Sequence, residues 1–73
     1  MRITQKRIRE QVLAAREALN ARVIAYNTGS GYRAKVWTPG GGLWAQLDGM
    51  TAREAYRYVE GLTDSARMMD SHA

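Results

Sequence analysis

The stretch RVIAYNTGSGYRAKVWT, residues 22–38, decides the fold, because apolar and polar side chains alternate on both sides of a short glycine-containing segment. Alternation with a period of two is typical of a half-buried β-strand, and TGSG between two such runs is a turn signal. The stretch therefore predicts a hairpin of two antiparallel strands, at 22–27 and 32–38, that places Tyr26 near Arg33.

A third strand is predicted for LWAQL, residues 43–47, which follows the loop segment PGGG. Consecutive strands with short connections pair as an antiparallel meander. Pairing across this loop places Trp37 opposite Trp44 and Lys35 near Gln46. The three strands together predict one antiparallel sheet.

Helices are predicted on both sides of the three strands. Apolar residues recur at helical spacing after Thr4, a residue type that caps helices, and they predict a helix over 4–20. The segment TARE is a capping box, in which the Thr51 hydroxyl accepts from the Glu54 amide and the Glu54 side chain reaches back. This capping box predicts the start of a second helix over 51–69.

This order of elements predicts a single α+β domain over residues 1–73, arranged as α-β-β-β-α in two layers. Each helix has one apolar stripe, and the simplest arrangement packs both helices against one face of the sheet. That inner face would carry Val23, Ala25, Tyr32, Ala34, Val36, Leu43, Ala45 and Leu47. Gly61 lies inside the second helix, so either the helix breaks there or another backbone packs closely against it.

Three consecutive glycines in TPGGGLW, residues 38–44, raise the question of a phosphate-binding loop. A P-loop requires Gly-Lys-Ser/Thr leading into a helix, and a dinucleotide-binding fingerprint requires G-x-G-x-x-G at a helix start. Here a strand follows, and neither motif is present. Pro39 presets a negative φ and Gly40 accepts a positive one, so the segment predicts a turn between two strands.

The chain of 73 residues has a formal net charge of +4, and the excess lies near its start. Residues 1–22 hold six basic and two acidic side chains, whereas the rest of the chain is balanced. Such a cluster is either a patch for an anionic partner, nucleic acid or an acidic protein, or the solvated face of a helix. The candidate basic patch consists of Lys6, Arg9, Arg16 and Arg22.

Catalytic and metal-binding groups are few in this sequence. It has no cysteine, and its single histidine, His72, stands next to the last residue. A nucleophilic serine needs a neighbouring base, and the spacing offers none. Glu60 and Asp64 share a helix face, which a solvated surface explains. We therefore expect no enzymatic activity, no cofactor and no metal site.

The outer face of the predicted sheet combines large aromatic and basic side chains. Tryptophan, tyrosine and arginine dominate binding hot spots, and monomers seldom expose large apolar patches. Two alternatives would bury these side chains: a helix that crosses this face, or a register shifted by one residue, which exchanges the two faces. The candidate partner-binding residues are Tyr26, Arg33, Lys35, Trp37 and Trp44.

The order α-β-β-β-α resembles that of double-stranded-RNA-binding domains. That resemblance implies RNA contacts from a histidine in a strand loop and from lysines that open the last helix. The strand loops of this chain contain no histidine, and TAREAYR offers only Arg53 and Arg57. The resemblance is therefore one of element order.

The run GGLWAQLDGMTAREAYRYVEGL, residues 41–62, resembles small accessory proteins encoded by bacteriophages and prophages. The matching positions are Gly49, Met50, Thr51, Arg53, Glu54, Tyr56, Tyr58, Gly61 and Leu62. Such proteins often end in a glycine-rich strand, a G-M-[ST]-x-[RK]-E helix start and an aromatic helix. The resemblance implies a non-enzymatic role, such as that of anti-CRISPR and other anti-defence inhibitors.

The composition also bears on location. The segment MRITQKRIREQ lacks the apolar core of a signal peptide. No apolar run approaches the roughly 20 residues that a membrane helix needs. With no cysteine for disulfides, the sequence predicts a cytoplasmic protein that does not interact with membranes.

We therefore expect a non-enzymatic phage-type accessory protein that binds a host protein or nucleoprotein and inhibits a host defence system by occlusion. Tyr26, Trp37 and Trp44 would supply apolar anchors, and Arg33 and Lys35 would orient the partner. One alternative is a nucleic-acid-binding module that uses the same face and the basic first helix. The other is a self-associating assembly protein, such as a homodimer.

Overall fold

The chain folds into five elements in a computed structural model: α1 (Gln5–Leu19), β1 (Val23–Asn27), β2 (Tyr32–Trp37), β3 (Leu43–Met50) and α2 (Ala52–Ser71). The structure describes residues 3–71, with side chains through residue 68. The strands form one antiparallel sheet in the order β1-β2-β3. The predicted α+β fold with the order α-β-β-β-α is therefore confirmed, while His72 lies outside the described residues.

The core lies between the two helices and one face of the sheet. Ile8 and Val12 of α1 and Val59 of α2 meet Val23 and Val36 of the sheet in one buried cluster. The helices pack extensively against each other, α1 lies along β1, and α2 touches β2 and β3 only lightly. The apolar stripes of both helices are buried in this way, and β3 is left largely open to solvent.

Side chains cap the N-termini of both helices as the sequence predicts. The Thr4 hydroxyl accepts from the Arg7 amide at 3.3 Å, and α1 ends at Asn20 in the left-handed region with φ of 50°. At α2, the Thr51 amide donates to Glu54 Oε1 at 2.9 Å, and the Glu54 amide donates to the Thr51 hydroxyl at 3.1 Å. The capping box is therefore confirmed.

The capping box makes the stability of the domain depend on pH in the acidic range. The Thr51 backbone amide, by donating to the carboxylate, holds the pKa of Glu54 below its ordinary value of 4.5. A carboxyl group whose pKa is lowered by folding stabilises the fold at pH values above its pKa in the unfolded chain. This contribution is lost as the pH falls through its pKa in the folded protein. We expect Glu54→Gln to melt below wild type at pH 7, and the difference to shrink by pH 3. An equal difference at both pH values in thermal melts would contradict this.

The β1–β2 hairpin has the predicted register. Tyr26 pairs with Arg33 and Ile24 with Lys35. The Thr28 amide donates to the Gly31 carbonyl oxygen at 2.8 Å and closes the turn. The first hairpin is therefore confirmed down to its individual residue pairs.

The β2–β3 pairing departs from the prediction at one place. Lys35 pairs with Gln46 as expected, but a β-bulge beyond Val36 brings Leu43, and not Trp44, opposite Trp37. A bulge sets two residues of one strand against one residue of its partner, so strict alternation fails there. The predicted Trp37–Trp44 pair is therefore wrong.

Two leucines assigned to the core are exposed. Leu43 is 55% and Leu47 is 42% exposed, although Leu47 pairs with the buried Ala34. Leu43 pairs with Trp37 beyond the bulge and not with a core residue, and Leu47 lies on β3, which the helices touch only lightly. Alternation places a side chain on a face of the sheet, but it does not tell how much of that face a helix covers.

The third strand also continues three residues beyond its predicted end, to Met50. A second irregularity in the pairing lies between Tyr32 and Ala34. The side chain of Arg33, between these two residues, donates to Asp48 of β3. This irregularity brings the backbone of Gly49 close to Gly31: a Cβ on Gly31 would lie 2.9 Å from the Gly49 Cα. The end of the first turn is therefore packed directly on β3.

Both expectations for Gly61 are wrong. The helix continues through this residue to Ser71, and a Cβ added at Gly61 would meet no atom within 4 Å. Gly61 is exposed, so neither a break nor a close backbone contact explains it.

Because no atom occupies the space beside Gly61, we expect Gly61→Ala to stabilise the domain. Glycine in a helix interior costs about 1 kcal/mol relative to alanine. For a domain of this size that corresponds to a rise in melting temperature of about 4–8 °C, measurable by circular dichroism. A fall in melting temperature would show that another group needs the space beside α2.

Candidate binding surface

An apolar groove lies where the β2–β3 loop meets α2. It has a volume of about 300 Å³ and is lined by Leu19, Ala21, Val36, Trp37, Thr38, Pro39, Trp44, Leu62, Ser65 and Ala66. Trp44 is 63% exposed at this groove, and Thr38 and Ser65 contribute its only hydroxyl groups. Such a mixture of exposed indole and aliphatic wall is the composition of a hot-spot pocket.

The two predicted anchors, Trp37 and Trp44, therefore line one groove, but not on the face that the sequence predicts. The sequence placed both on the outer sheet face, away from the helices. In the structure they share the groove with Leu62 and Ala66 of α2. The bulge at the start of β3 is the physical reason, because it interrupts the alternation that assigned Trp44 to the outer face.

The glycine-rich loop beside this groove is closed by its own hydrogen bonds. The Gly41 amide donates to the Thr38 carbonyl oxygen at 2.9 Å, and the Gly42 amide donates to the Thr38 hydroxyl at 3.1 Å. The positive φ lies at Gly41, at 97°, and not at Gly40 as predicted. Since these amides are used inside the turn, they do not form a cradle for a phosphate.

A basic cleft adjoins the groove on the other side of Trp37. Its volume is about 420 Å³, and it is lined by Arg16, Asn20, Ala21, Arg22, Trp37, Thr38, Pro39 and Gly41. The Arg22 guanidinium carbon lies 4.8 Å from the centre of the Trp37 ring. Arg16 Nε donates to the Val23 carbonyl oxygen at 2.7 Å. Both arginines are thus held in place by the fold.

The candidate basic patch divides in this structure. Arg16 and Arg22 come together in the basic cleft. Arg9 shares a separate groove between α1 and β1 with Arg16, and Lys6 is exposed elsewhere on α1. Arg2, which adds to the charge of this region, lies outside the described residues. The four candidate residues therefore do not form one patch: Arg16 and Arg22 line the cleft beside Trp37, and Arg9 and Arg16 line the groove beside Tyr26.

Two of the remaining candidates, Tyr26 and Arg33, belong to a polar network at the opposite end of the sheet. Arg33 Nε donates to an Asp48 carboxylate oxygen, and Gln46 Nε2 donates to the other at 3.1 Å. Arg33 Nη1 lies 3.4 Å from the Tyr26 hydroxyl oxygen. The Arg33 guanidinium holds the pKa of Asp48 below its usual range. The charge of Arg33 is therefore already balanced within the sheet.

Distance separates these two regions. Arg33 and Trp37 are four residues apart on β2, which corresponds to about 13 Å along a strand. Lys35 lies half-buried between them, next to Ile24 and Gln46. The five candidate partner-binding residues are therefore not one patch but a tryptophan end and a tyrosine–arginine end.

Sequence reasoning missed two parts of this surface. Leu62 and Ala66 belong to the apolar stripe of α2 and were assigned to the core alone, but they also form the groove wall. Asp48 was not recognised as the partner of Arg33. Its position two residues beyond Gln46 on the extended β3 is the only signal, and it required the full length of that strand.

Comparison of the chain with protein-family models, with curated proteins and with solved structures gives no match. Across residues 3–71, neither helix is long and apolar enough to cross a membrane. Within the part of the chain that the structure describes, no group of three histidine, aspartate or glutamate side chains is arranged to hold a metal ion. The function has to be argued from the groove and the cleft themselves.

Proposed function

We propose that this chain is a non-enzymatic, phage-type accessory protein that binds a host protein or nucleoprotein and inhibits it by occlusion. The observation that carries the proposal is the groove at which Trp44 is 63% exposed beside Trp37. A small monomer gains stability by burying such a side chain, so its exposure favours a partner that covers it. The inhibited system would be a host defence complex in the cytoplasm, as for anti-CRISPR proteins.

The geometry changes the roles given to the candidate residues. Trp37 and Trp44 supply the apolar anchors, and α2 provides the second wall of the pocket. Arg33 is paired with Asp48, so its charge contributes little to a partner's recognition. Tyr26 lies at the other end of the sheet and Lys35 lies midway along β2, so both would act at the rim of a large interface. The resemblance of residues 41–62 to phage accessory proteins supports a partner in the host.

A capture experiment with matched variants tests this proposal. The tagged chain is incubated with bacterial lysate at near-physiological salt, with and without nuclease, beside Trp44→Ala and Leu13→Ala. Leu13 is 57% exposed on α1 and lines only the separate groove between α1 and β1, so it controls for apolar binding outside the tryptophan groove. Truncation of a hot-spot residue costs about 2 kcal/mol or more, which weakens binding about 30-fold.

We expect a protein partner that survives nuclease, is retained by Leu13→Ala and is lost by Trp44→Ala. Recovery that disappears with nuclease would instead support direct nucleic-acid binding. Recovery of the chain alone, with a mass that rises with concentration, would support self-association. Equal recovery by both variants would show that the groove is not the binding surface.

A further inference from the structure

We infer that the partner's docking segment is an acidic peptide in which a carboxylate lies next to a large apolar side chain. The apolar side chain would fill the groove, and the carboxylate would bind Arg16 and Arg22 in the basic cleft. This inference rests on the proposed function, since it specifies the chemistry of the partner at the same surface. Three observations carry it: a shared wall, two prearranged arginines and an apolar lining.

The shared wall is Trp37 with its following turn. Trp37, Thr38 and Pro39 line both the groove and the cleft, together with Ala21. The apolar groove and the basic cleft therefore adjoin each other along these residues. Neighbouring residues of an extended peptide are about 3.3 Å apart along the chain, so adjacent side chains can reach both sides of this wall.

The two arginines are positioned before any partner arrives. Arg22 stacks on the Trp37 ring, and stacking leaves the N–H groups at the guanidinium edge free to point outward. Arg16 uses its Nε for the Val23 carbonyl oxygen, which leaves its terminal N–H groups as donors. Among the side chains that the structure describes, neither arginine forms an ion pair with a carboxylate. Two fixed guanidinium groups without a counter-charge favour an anionic ligand.

The lining of the groove favours a peptide over a nucleotide. A nucleobase carries polar edges that need hydrogen-bond partners when buried. Besides the indole N–H groups of Trp37 and Trp44, which donate only, the side chains of the groove offer the hydroxyls of Thr38 and Ser65, and the Thr38 hydroxyl already accepts from Gly42. Its other walls are aliphatic or indole carbon. A leucine-sized or aromatic side chain satisfies such a site, whereas a buried base would leave its edge unpaired.

Two synthetic peptides of equal length test the inference on the intact chain. The probes are acetyl-Ala-Trp-Leu-Asp-Asp-Ala-amide and its counterpart with both aspartates replaced by asparagine. Binding is followed by NMR through the indole N–H of Trp37 and Trp44 and the Nε–H of Arg16 and Arg22. The protein variants are Arg22→Gln, Lys6→Gln and Trp44→Ala. Lys6→Gln removes the same charge from an exposed site that does not line the cleft.

We expect the acidic peptide to bind about tenfold more tightly than the amide peptide, since charge-assisted hydrogen bonds are the stronger ones. Arg22→Gln should remove most of this preference, whereas Lys6→Gln should retain it. Trp44→Ala should weaken both peptides by a similar factor. Shifts should appear at the indoles with both peptides and at the arginines with the acidic one.

Three results would overturn the inference. One is equal affinity for the two peptides, and another is equal loss of the preference in Arg22→Gln and Lys6→Gln. The third is tighter binding of decathymidylate at the same indoles, which would identify a single-stranded nucleic acid as the ligand. If the peptides fail while Trp44→Ala still abolishes capture from lysate, the inference fails and the proposed function stands. If capture does not depend on Trp44, the proposed function fails by itself.

Discussion

Gly31→Ala is expected to lower the free energy of unfolding by about 3 kcal/mol, a large part of the stability of a small domain. The backbone at Gly31 has a φ of 142°, which residues with a side chain rarely adopt. A Cβ there would also lie 2.9 Å from the Gly49 Cα and 3.2 Å from the Met50 carbonyl oxygen. Since both neighbours are backbone atoms of β3, the strand itself would have to move.

Gly29 provides the matched control for this change. Its φ of 94° is also positive, but a Cβ there would meet no atom within 4 Å. Gly29→Ala should therefore cost only the strain of a left-handed backbone, about 1 kcal/mol. Urea denaturation followed by tryptophan fluorescence gives both values. Equal losses of unfolding free energy for the two variants would show that the close approach of the first turn to β3 does not contribute to stability.

Ile8→Ala is expected to be similarly damaging, with a loss of about 3–4 kcal/mol. Ile8 is 1% exposed and lies where α1 meets both α2 and the sheet. Truncation removes buried apolar surface and leaves a cavity that the surrounding helices and strands fill only in part. The Ile8→Ala variant should unfold at a lower denaturant concentration than wild type, without a change in the slope of the transition.

Leu13 tests whether this loss depends on burial. It stands on the same helix but is 57% exposed, so Leu13→Ala should change the unfolding free energy by less than about 0.5 kcal/mol. If Ile8→Ala also had so small an effect, α1 would not be part of the cooperative fold. The basic cleft would then lose its support, because Arg16 is carried by α1.

These packing requirements bear directly on the candidate binding surface. The cleft needs α1 to hold Arg16, β2 to carry Trp37, and the junction between α1 and β1 to place Arg22 over the indole. The groove needs α2 to stand beside the start of β3. Stability variants should therefore be compared with binding variants such as Trp44→Ala only after each is shown to be folded.

Local sequence signals determined the elements of this protein. The capping box at Thr51 and Glu54, the Thr4 cap and the alternation in the first hairpin are interactions between residues close in the chain. Such interactions depend little on what the rest of the molecule does, so the helix starts and the Tyr26–Arg33 pair follow from the sequence. The order α-β-β-β-α follows in turn.

Only the tertiary structure decided how the sheet is covered and where the tryptophans lie. A bulge places Leu43, and not Trp44, opposite Trp37, and a second irregularity precedes the end of β3 at Met50. Both arise from pairing between residues that are distant in the chain. The helices pack mainly on each other and along β1 and touch β3 only lightly, and Leu43 and Leu47 of β3 are exposed. A period of two assigns a side chain to a face, but the packing of distant elements determines whether that face is core, groove or solvent.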